Sequence, residues 1–130
     1  MLDYSKYVGM EVVMYLRRSD KSNADKPIRS IEDQEADNWK VAEKWQLKVV
    51  DVVIEIESAW EPHKREKFTK ILRALSYKSP TKRKADGILA WHPNRLSRNA
   101  EEAGLIIQRI DDGLIKNLFF SAYSFHNDAS

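Results

Sequence analysis

Ser19 sits beside Arg17 and Arg18, and a second pair of arginines, Arg95 and Arg98, lies three residues apart in the run Asn94-Arg95-Leu96-Ser97-Arg98-Asn99. A serine hydroxyl is a weak nucleophile until a base or a positive field activates it. If residues 15–19 are extended, side chains alternate, so Tyr15, Arg17 and Ser19 share one face and Arg18 points away. Arg17 is then the better placed to assist the hydroxyl. Guanidinium groups suit phosphate because their fork of donors meets two oxygens at once and stays charged at any working pH. A hydroxyl to attack and fixed cations to stabilise the non-bridging oxygens are the parts of a metal-free phosphoryl transfer. Arg65, preceded by His63 and Lys64, is a further candidate donor. Taken singly, each of these arginines reads as well as a solvated surface cation.

The elements that must position them follow from pattern. Val12 to Tyr15 is a short apolar run ending in charge and predicts a first strand. Residues 20–29 are polar, hold Pro27 and predict a loop. Ser30 with Asp33 resembles a capping box, and Ile31, Ala36, Trp39 and Ala42 recur at helical spacing, predicting a helix from about Ile31 to Trp45. The β-branched run from Val49 to Ile54 predicts a second strand. Phe68, Ile71, Leu72 and Leu75 make the stripe of a second helix. Tyr77 to Lys84 predicts a loop, Gly87 to Trp91 a third strand that Pro93 ends. Asn99 with Glu102 predicts an N-cap before the stripe Ala103, Ile106, Ile107 and Ile110, Gly113 ends that helix, and Leu118 to Phe120 form a fourth strand.

Alternating strands and helices predict an α/β fold, a three-layer α/β/α domain around a mostly parallel sheet of four to five strands. Ligands of such sheets bind beyond the carboxyl ends of the strands, where strand order reverses. Arg17 and Ser19 follow the first strand, Glu57, Ser58 and Arg65 the second, and Asn94, Arg95 and Arg98 the third. All three polar clusters therefore reach one rim.

At 130 residues and 42% hydrophobic content the chain suits one domain with one sizeable core. No apolar run is long enough to cross a bilayer and no secretory signal precedes the first strand, so a soluble, unexported protein with no membrane partner is expected. The absence of cysteine removes disulfides and thiolate metal sites, which suits a reducing cytoplasm. Net charge is only +2, so distribution matters more than total, and the cations cluster at Arg17, Arg18 and Lys21, at residues 63–67, and from Lys78 to Arg98.

Taken together, Tyr15-Leu16-Arg17-Arg18-Ser19, Ser30-Ile31-Glu32-Asp33-Gln34 and Asn94-Arg95-Leu96-Ser97-Arg98-Asn99 resemble three motifs of the resolvase/invertase family of serine recombinases, most closely its large serine integrase branch. Their family patterns are Tyr-x-Arg-x-Ser, Ser-Ile-Glu-x-Gln and Asp-Arg-Leu-x-Arg-Asn. Glu57-Ser58-Ala59 followed by Arg65-Glu66-Lys67-Phe68 resembles the family's mobile loop and its arginine. Each motif alone is weak, but four in order are strong. The resemblance implies a resolvase-like catalytic domain over residues 1–130, without the long oligomerisation helix and DNA-binding domains of the family.

The resemblance further implies site-specific recombination of double-stranded DNA through a 5′-phosphoseryl intermediate. Ser19 would be the nucleophile and Arg17, Arg65, Arg95 and Arg98 the phosphate ligands, with Tyr15, Gln34 and Asn94 in support. No metal or other cofactor is implied, and the full-length protein would assemble as dimer and tetramer. Arg18, Lys21 and Lys64 are candidate contacts to DNA. Asn94 departs from the family's aspartate: an amide accepts a hydrogen bond but cannot serve as a carboxylate base.

Two other classes compete. A metal-dependent nuclease would need oxygen ligands from Asp20, Asp51, Glu55 and Glu57, whose spacing matches no recognised metal pattern. A non-catalytic binding or assembly module could keep the fold and lose the chemistry, with Asn94 as its mark. His63, His92 and His126 are scattered and read as surface or structural, the four tryptophans as packing residues with Trp60 also able to touch DNA, and Lys82-Arg83-Lys84 as a solvated loop.

Overall fold

A computed structural model describes residues 5–19, 30–57, 66–75 and 85–123. Among them, strands β1 (Glu11–Ser19), β2 (Lys48–Glu57), β3 (Gly87–Ala90) and β4 (Asn117–Phe120) form one sheet in the order β2-β1-β3-β4, with every neighbouring pair parallel. The helices are α1 (Ile31–Trp45), α2 (Glu66–Ala74), a single turn α3 (Pro93–Leu96) and α4 (Ala100–Asp111). No helix among the described residues is long and apolar enough to cross a membrane.

A parallel sheet covered on both sides needs strands that are apolar on both sides, and β1 meets that demand. Val12, Met14 and Leu16 enter one core with Val41 and Ala42 of α1, Leu89 and Phe119. Val13 and Tyr15 enter the other with Phe68, Ile71 and Leu72 of α2, Ile88, Leu96 and Ile106. The result is the α/β/α sandwich expected from the alternation of elements.

The register of β1 and β2 slips once. Val12 pairs with Val49 but Val13 pairs with Asp51, so Val50 is an extra residue on β2. One inserted residue moves every later side chain to the opposite face. Arg17 consequently lies across from Glu55 rather than Ile54.

The helix termini carry the predicted caps. Ser30 Oγ accepts from the Asp33 amide at 3.1 Å and Asn99 Oδ1 from the Glu102 amide at 2.9 Å. α1 ends on Gln46 in the left-handed region at φ 56°, whose N–H reaches the carbonyls of Ala42 and Glu43. Gly113, at φ 75°, takes the same region just past α4.

Four expectations change. β1 and β2 run to Ser19 and Glu57, past the point where their apolar runs stop, because the strands continue into the polar rim. β3 ends at Ala90, and Pro93 opens the unpredicted turn α3, proline being suited to a first helical position. Of the stripe predicted for α1 only Ala42 is buried, and the buried face is Gln34, Asp37, Asn38, Val41 and Ala42, while Trp39 is 44% exposed and its indole bonds Glu35 of its own helix at 3.0 Å. On α4 only Ile106 of the predicted stripe is buried, leaving Ile107 and Ile110 exposed. The loops predicted over 20–29 and 77–84 lie outside the described residues, as do His63, His126 and Trp60.

Gly87 pairs with Asn117 where β3 meets β4, and a Cβ on it would collide with the Asn117 carbonyl oxygen. Backbone atoms cannot turn aside as a side chain can. Gly87→Ala is therefore expected to cost about 2–3 kcal/mol, seen as a lower urea midpoint at constant slope; an unchanged midpoint would contradict this packing of β4.

Candidate active site

From β1 the chain crosses to β2 on one side, and β3 then lands on the other, so strand order reverses between β1 and β3. In open α/β sheets the ligand crevice lies beyond the carboxyl ends of the strands at such a point. β3 stops opposite Tyr15, two residues before Arg17. From there on β1 has no strand neighbour on that side.

Gln34 of α1 takes the vacant place. Its side-chain amide donates to the Arg17 carbonyl at 3.0 Å and its oxygen accepts from the Arg17 amide at 3.4 Å, and the residue is wholly buried. A primary amide carries one donor and one acceptor side by side, which matches the N–H and C=O of one residue at a strand edge. The resemblance marked Gln34 as supporting, and its observed work is to continue the ladder.

The Arg17 guanidinium crosses the crevice. Nε donates to the Arg95 carbonyl at 3.1 Å and Nη2 to the Asn94 carbonyl, with only 6% of the residue exposed. A buried cation is tolerable only when its donors meet acceptors. Two carbonyls of one helical turn supply them here. The end of β1 is thereby tied to α3, which carries Arg95.

Arg95 is half-buried, with its guanidinium carbon 5.9 Å from the centroid of the Trp91 ring and its Nε enclosed without a partner among the described residues. Burial lowers its pKa from the ordinary arginine value. Arginine begins so far above neutrality that it stays charged all the same. Asn94 is exposed beside it and Arg18, on the opposite side of β1 from Arg17, is half-buried.

Tyr15 is wholly buried, one rung below Arg17 on the same face, and its hydroxyl donates to Glu55 Oε1. Glu55 is 5% exposed and also accepts from the amides of Lys67 at 3.1 Å and Phe68 at 3.3 Å. Those are orphan donors of the first turn of α2, so a strand carboxylate caps a helix. Glu55 stood in the sequence only as a conceivable metal ligand. Asp51, four residues along the same strand, lies roughly 13 Å away, too far to share an ion with it. Among the described residues no group of three His, Cys, Asp or Glu side chains is placed to hold a metal.

Arg98 is set apart from this group. Its amide bonds Glu102 Oε1 at 2.7 Å and its guanidinium pairs with the same carboxylate at 4.0 Å. It lines a cleft of about 410 Å³ between α2 and α4 with Phe68, Leu72, Arg73 and Leu105. The structure thus joins Arg17, Gln34, Asn94 and Arg95 directly, with Tyr15 beneath them and Arg98 on the flank. Arg65, Lys21, Lys64 and Asp20 lie outside the described residues, as do the side chains of Ser19 and Glu57. The backbone of Ser19 ends β1, paired with Glu57.

Polar residues that pattern reading passed over complete the rim. Asp37 Oδ2 accepts from the Trp91 indole at 3.0 Å, and Asn38 Oδ1 from the Ser121 hydroxyl at 2.6 Å. Gln34, Asp37, Asn38 and Val41 follow helical spacing, a buried stripe hidden because three of its members are polar.

The sequence and fold have known counterparts. The model of the family described as Resolvase, N terminal domain, matches residues 12–121. The crystal structure of the N-terminal catalytic domain of TP901-1 integrase is similar at a TM-score of 0.63 and 20% identity, over 88% of this chain and 78% of that one. The C-terminal catalytic domain of ISC1926 TnpA, an IS607-like serine recombinase, is similar at a TM-score of 0.61 and 20% identity, over 85% of this chain and 69% of that one. No curated protein matches the chain.

Gln34→Ala strands a buried N–H and a buried C=O at the end of β1. A loss of about 2 kcal/mol in unfolding free energy is expected. Gln34→Glu, able to accept but not to donate, should also destabilise, and a urea titration showing both variants as stable as the parent would remove Gln34 from this role.

Proposed function

The chain belongs to the resolvase N-terminal domain family, and on that premise we propose that it is the catalytic domain of a serine recombinase that cuts and rejoins double-stranded DNA at specific sites. The Ser19 oxygen attacks a backbone phosphorus. A serine–phosphate ester forms at the 5′ end, the bond to the 3′ oxygen breaks, the serine proton leaves to solvent or a local base, and the leaving oxygen takes up a proton as the 3′-hydroxyl. Religation is the reverse attack by a 3′-hydroxyl on the phosphoserine. The ester conserves the energy of the broken bond, so no nucleotide cofactor is required, and arginines take the part that a metal plays elsewhere.

One observation carries the reading. The Arg17 guanidinium, held against the Asn94 and Arg95 carbonyls, draws the strand end that bears Ser19 to the turn that bears Arg95. In this assignment Arg95 and Arg17 face the phosphate, Arg98 and Arg65 complete the cationic shell, and Tyr15, Gln34 and Asn94 support it. Arg18, Lys21 and Lys64 contact the DNA backbone. The full-length protein acts in the cytoplasm as a dimer that pairs into a tetramer on two sites.

A second reading rests on Asn94. With an exposed amide where the family pattern has a carboxylate, the domain would bind DNA and assemble without cutting. A metal-dependent nuclease is the remaining class. One experiment separates the three: the full-length protein is given a nicked target that blocks religation, with and without chelator. Recombinase chemistry predicts a covalent adduct on Ser19 that survives chelation and is abolished in Ser19→Ala. Arg95→Ala should form it about 10²–10³ times more slowly. No adduct from the parent protein would favour the binding module, and chelator-sensitive cutting that persists in Ser19→Ala would favour the nuclease.

A further inference from the structure

The turn α3 has only four residues, too few to be stable as a helix in isolation. It nevertheless has to hold Arg95 and to present the two carbonyls that aim Arg17. Leu96 anchors it in the core, and His92 closes its N-terminal end. Pro93 brings no N–H to the first turn, and the next two donors both end on His92: the Asn94 amide reaches its Nδ1 at 3.1 Å and the Arg95 amide its carbonyl at 2.9 Å.

Because a backbone N–H can only donate, Nδ1 must accept and carries no proton. The hydrogen of the neutral ring then sits on Nε2, which lies 3.1 Å from the Tyr123 hydroxyl. Tyr123 follows β4, and that segment is itself anchored: the Ala122 amide bonds the Trp91 carbonyl at 2.8 Å and the Ser121 hydroxyl bonds Asn38. The rings of His92 and Tyr123 lie 5.2 Å apart, and Trp91 flanks the imidazole at 5.7 Å. The tautomer of the imidazole is therefore set by the Asn94 amide, and Tyr123, from the segment after β4, holds the orientation of the ring.

We propose that His92 is a positioning residue for the DNA-cleaving site: the Asn94 amide requires its Nε2–H tautomer, Tyr123 steadies the ring, and Nδ1 caps α3 and holds Asn94 and Arg95 where they orient Arg17. The role rests on the recombinase reading for its consequence but not for its geometry. His92 touches neither substrate nor nucleophile in this scheme; it acts through the turn.

The test reads geometry and chemistry separately. In the 130-residue chain, nitrogen NMR should show the His92 ring protonated on Nε2 alone, and the Arg17 Hε, bonded to the Arg95 carbonyl, should give a slowly exchanging signal. His92→Phe keeps a ring and removes the acceptor, so that signal should exchange at least about five times faster, the size of a lost cap. His92→Asn restores a good capping acceptor and should keep the signal within twofold of the parent. In the full-length protein, adduct formation should fall about fivefold in His92→Phe and recover in His92→Asn.

An Nδ1-protonated ring, an Arg17 signal indifferent to His92→Phe, or equal cleavage by Phe and Asn variants would each overturn the proposal. A parent protein that forms no adduct at all would count against the recombinase reading instead, while the tautomer and the Arg17 signal would still decide what His92 does.

Discussion

The site depends on a cation that is out of water. Arg17, 6% exposed, has given up most of its hydration, and it recovers that loss by donating to the carbonyls of Asn94 and Arg95. Carbonyl oxygens are the negative ends of strong dipoles, and in a poorly solvated crevice each bond to a charge is worth more than the same bond at the surface. The cost of leaving such a group unpaired fixes the relative placement of β1 and α3 closely. Since β1 carries Ser19 and α3 carries Arg95, one desolvated guanidinium sets the spacing of the groups on either side of the crevice.

Around that cation, several polar side chains of the rim are bonded across elements. Gln34 extends the ladder of β1, Asp37 receives the Trp91 indole, Asn38 receives the Ser121 hydroxyl, and Glu55 joins Tyr15 to the start of α2. Each bond joins two different elements. An apolar interface could slide by a fraction of a helical turn at little cost, whereas hydrogen bonds of this kind lose most of their energy when donor and acceptor part or misalign. Apolar layers below therefore supply the bulk of the burial, and the polar layer above supplies the register.

The division of labour shows in α1. Its C-terminal half buries Val41 and Ala42 against Val12, Met14 and Leu16, and its N-terminal half buries Gln34, Asp37 and Asn38 against the strand ends. Trp39, the largest apolar residue of the helix centre, is turned outward. α4 shows the converse, with Leu105, Ile107 and Ile110 left facing solvent while Ile106 alone enters the core.

The sequence by itself determined the order of the four strands and of α1, α2 and α4, the caps at Ser30 and Asn99 and the stripe of α2, because strand runs, helical spacing and capping residues act through neighbours in the chain. It also carried the motifs of the family. Tertiary structure alone decided which face of α1 turns inward, since a buried polar residue can be told from a solvated one only by its distant partner. The same holds for the extra residue at Val50, which turns Glu55 instead of Ile54 toward Arg17, and for the meeting of the His92 ring with Tyr123. Local periodicity fixes what a segment becomes. Which hydrogen bonds it keeps is settled when segments remote in sequence meet and water is excluded between them.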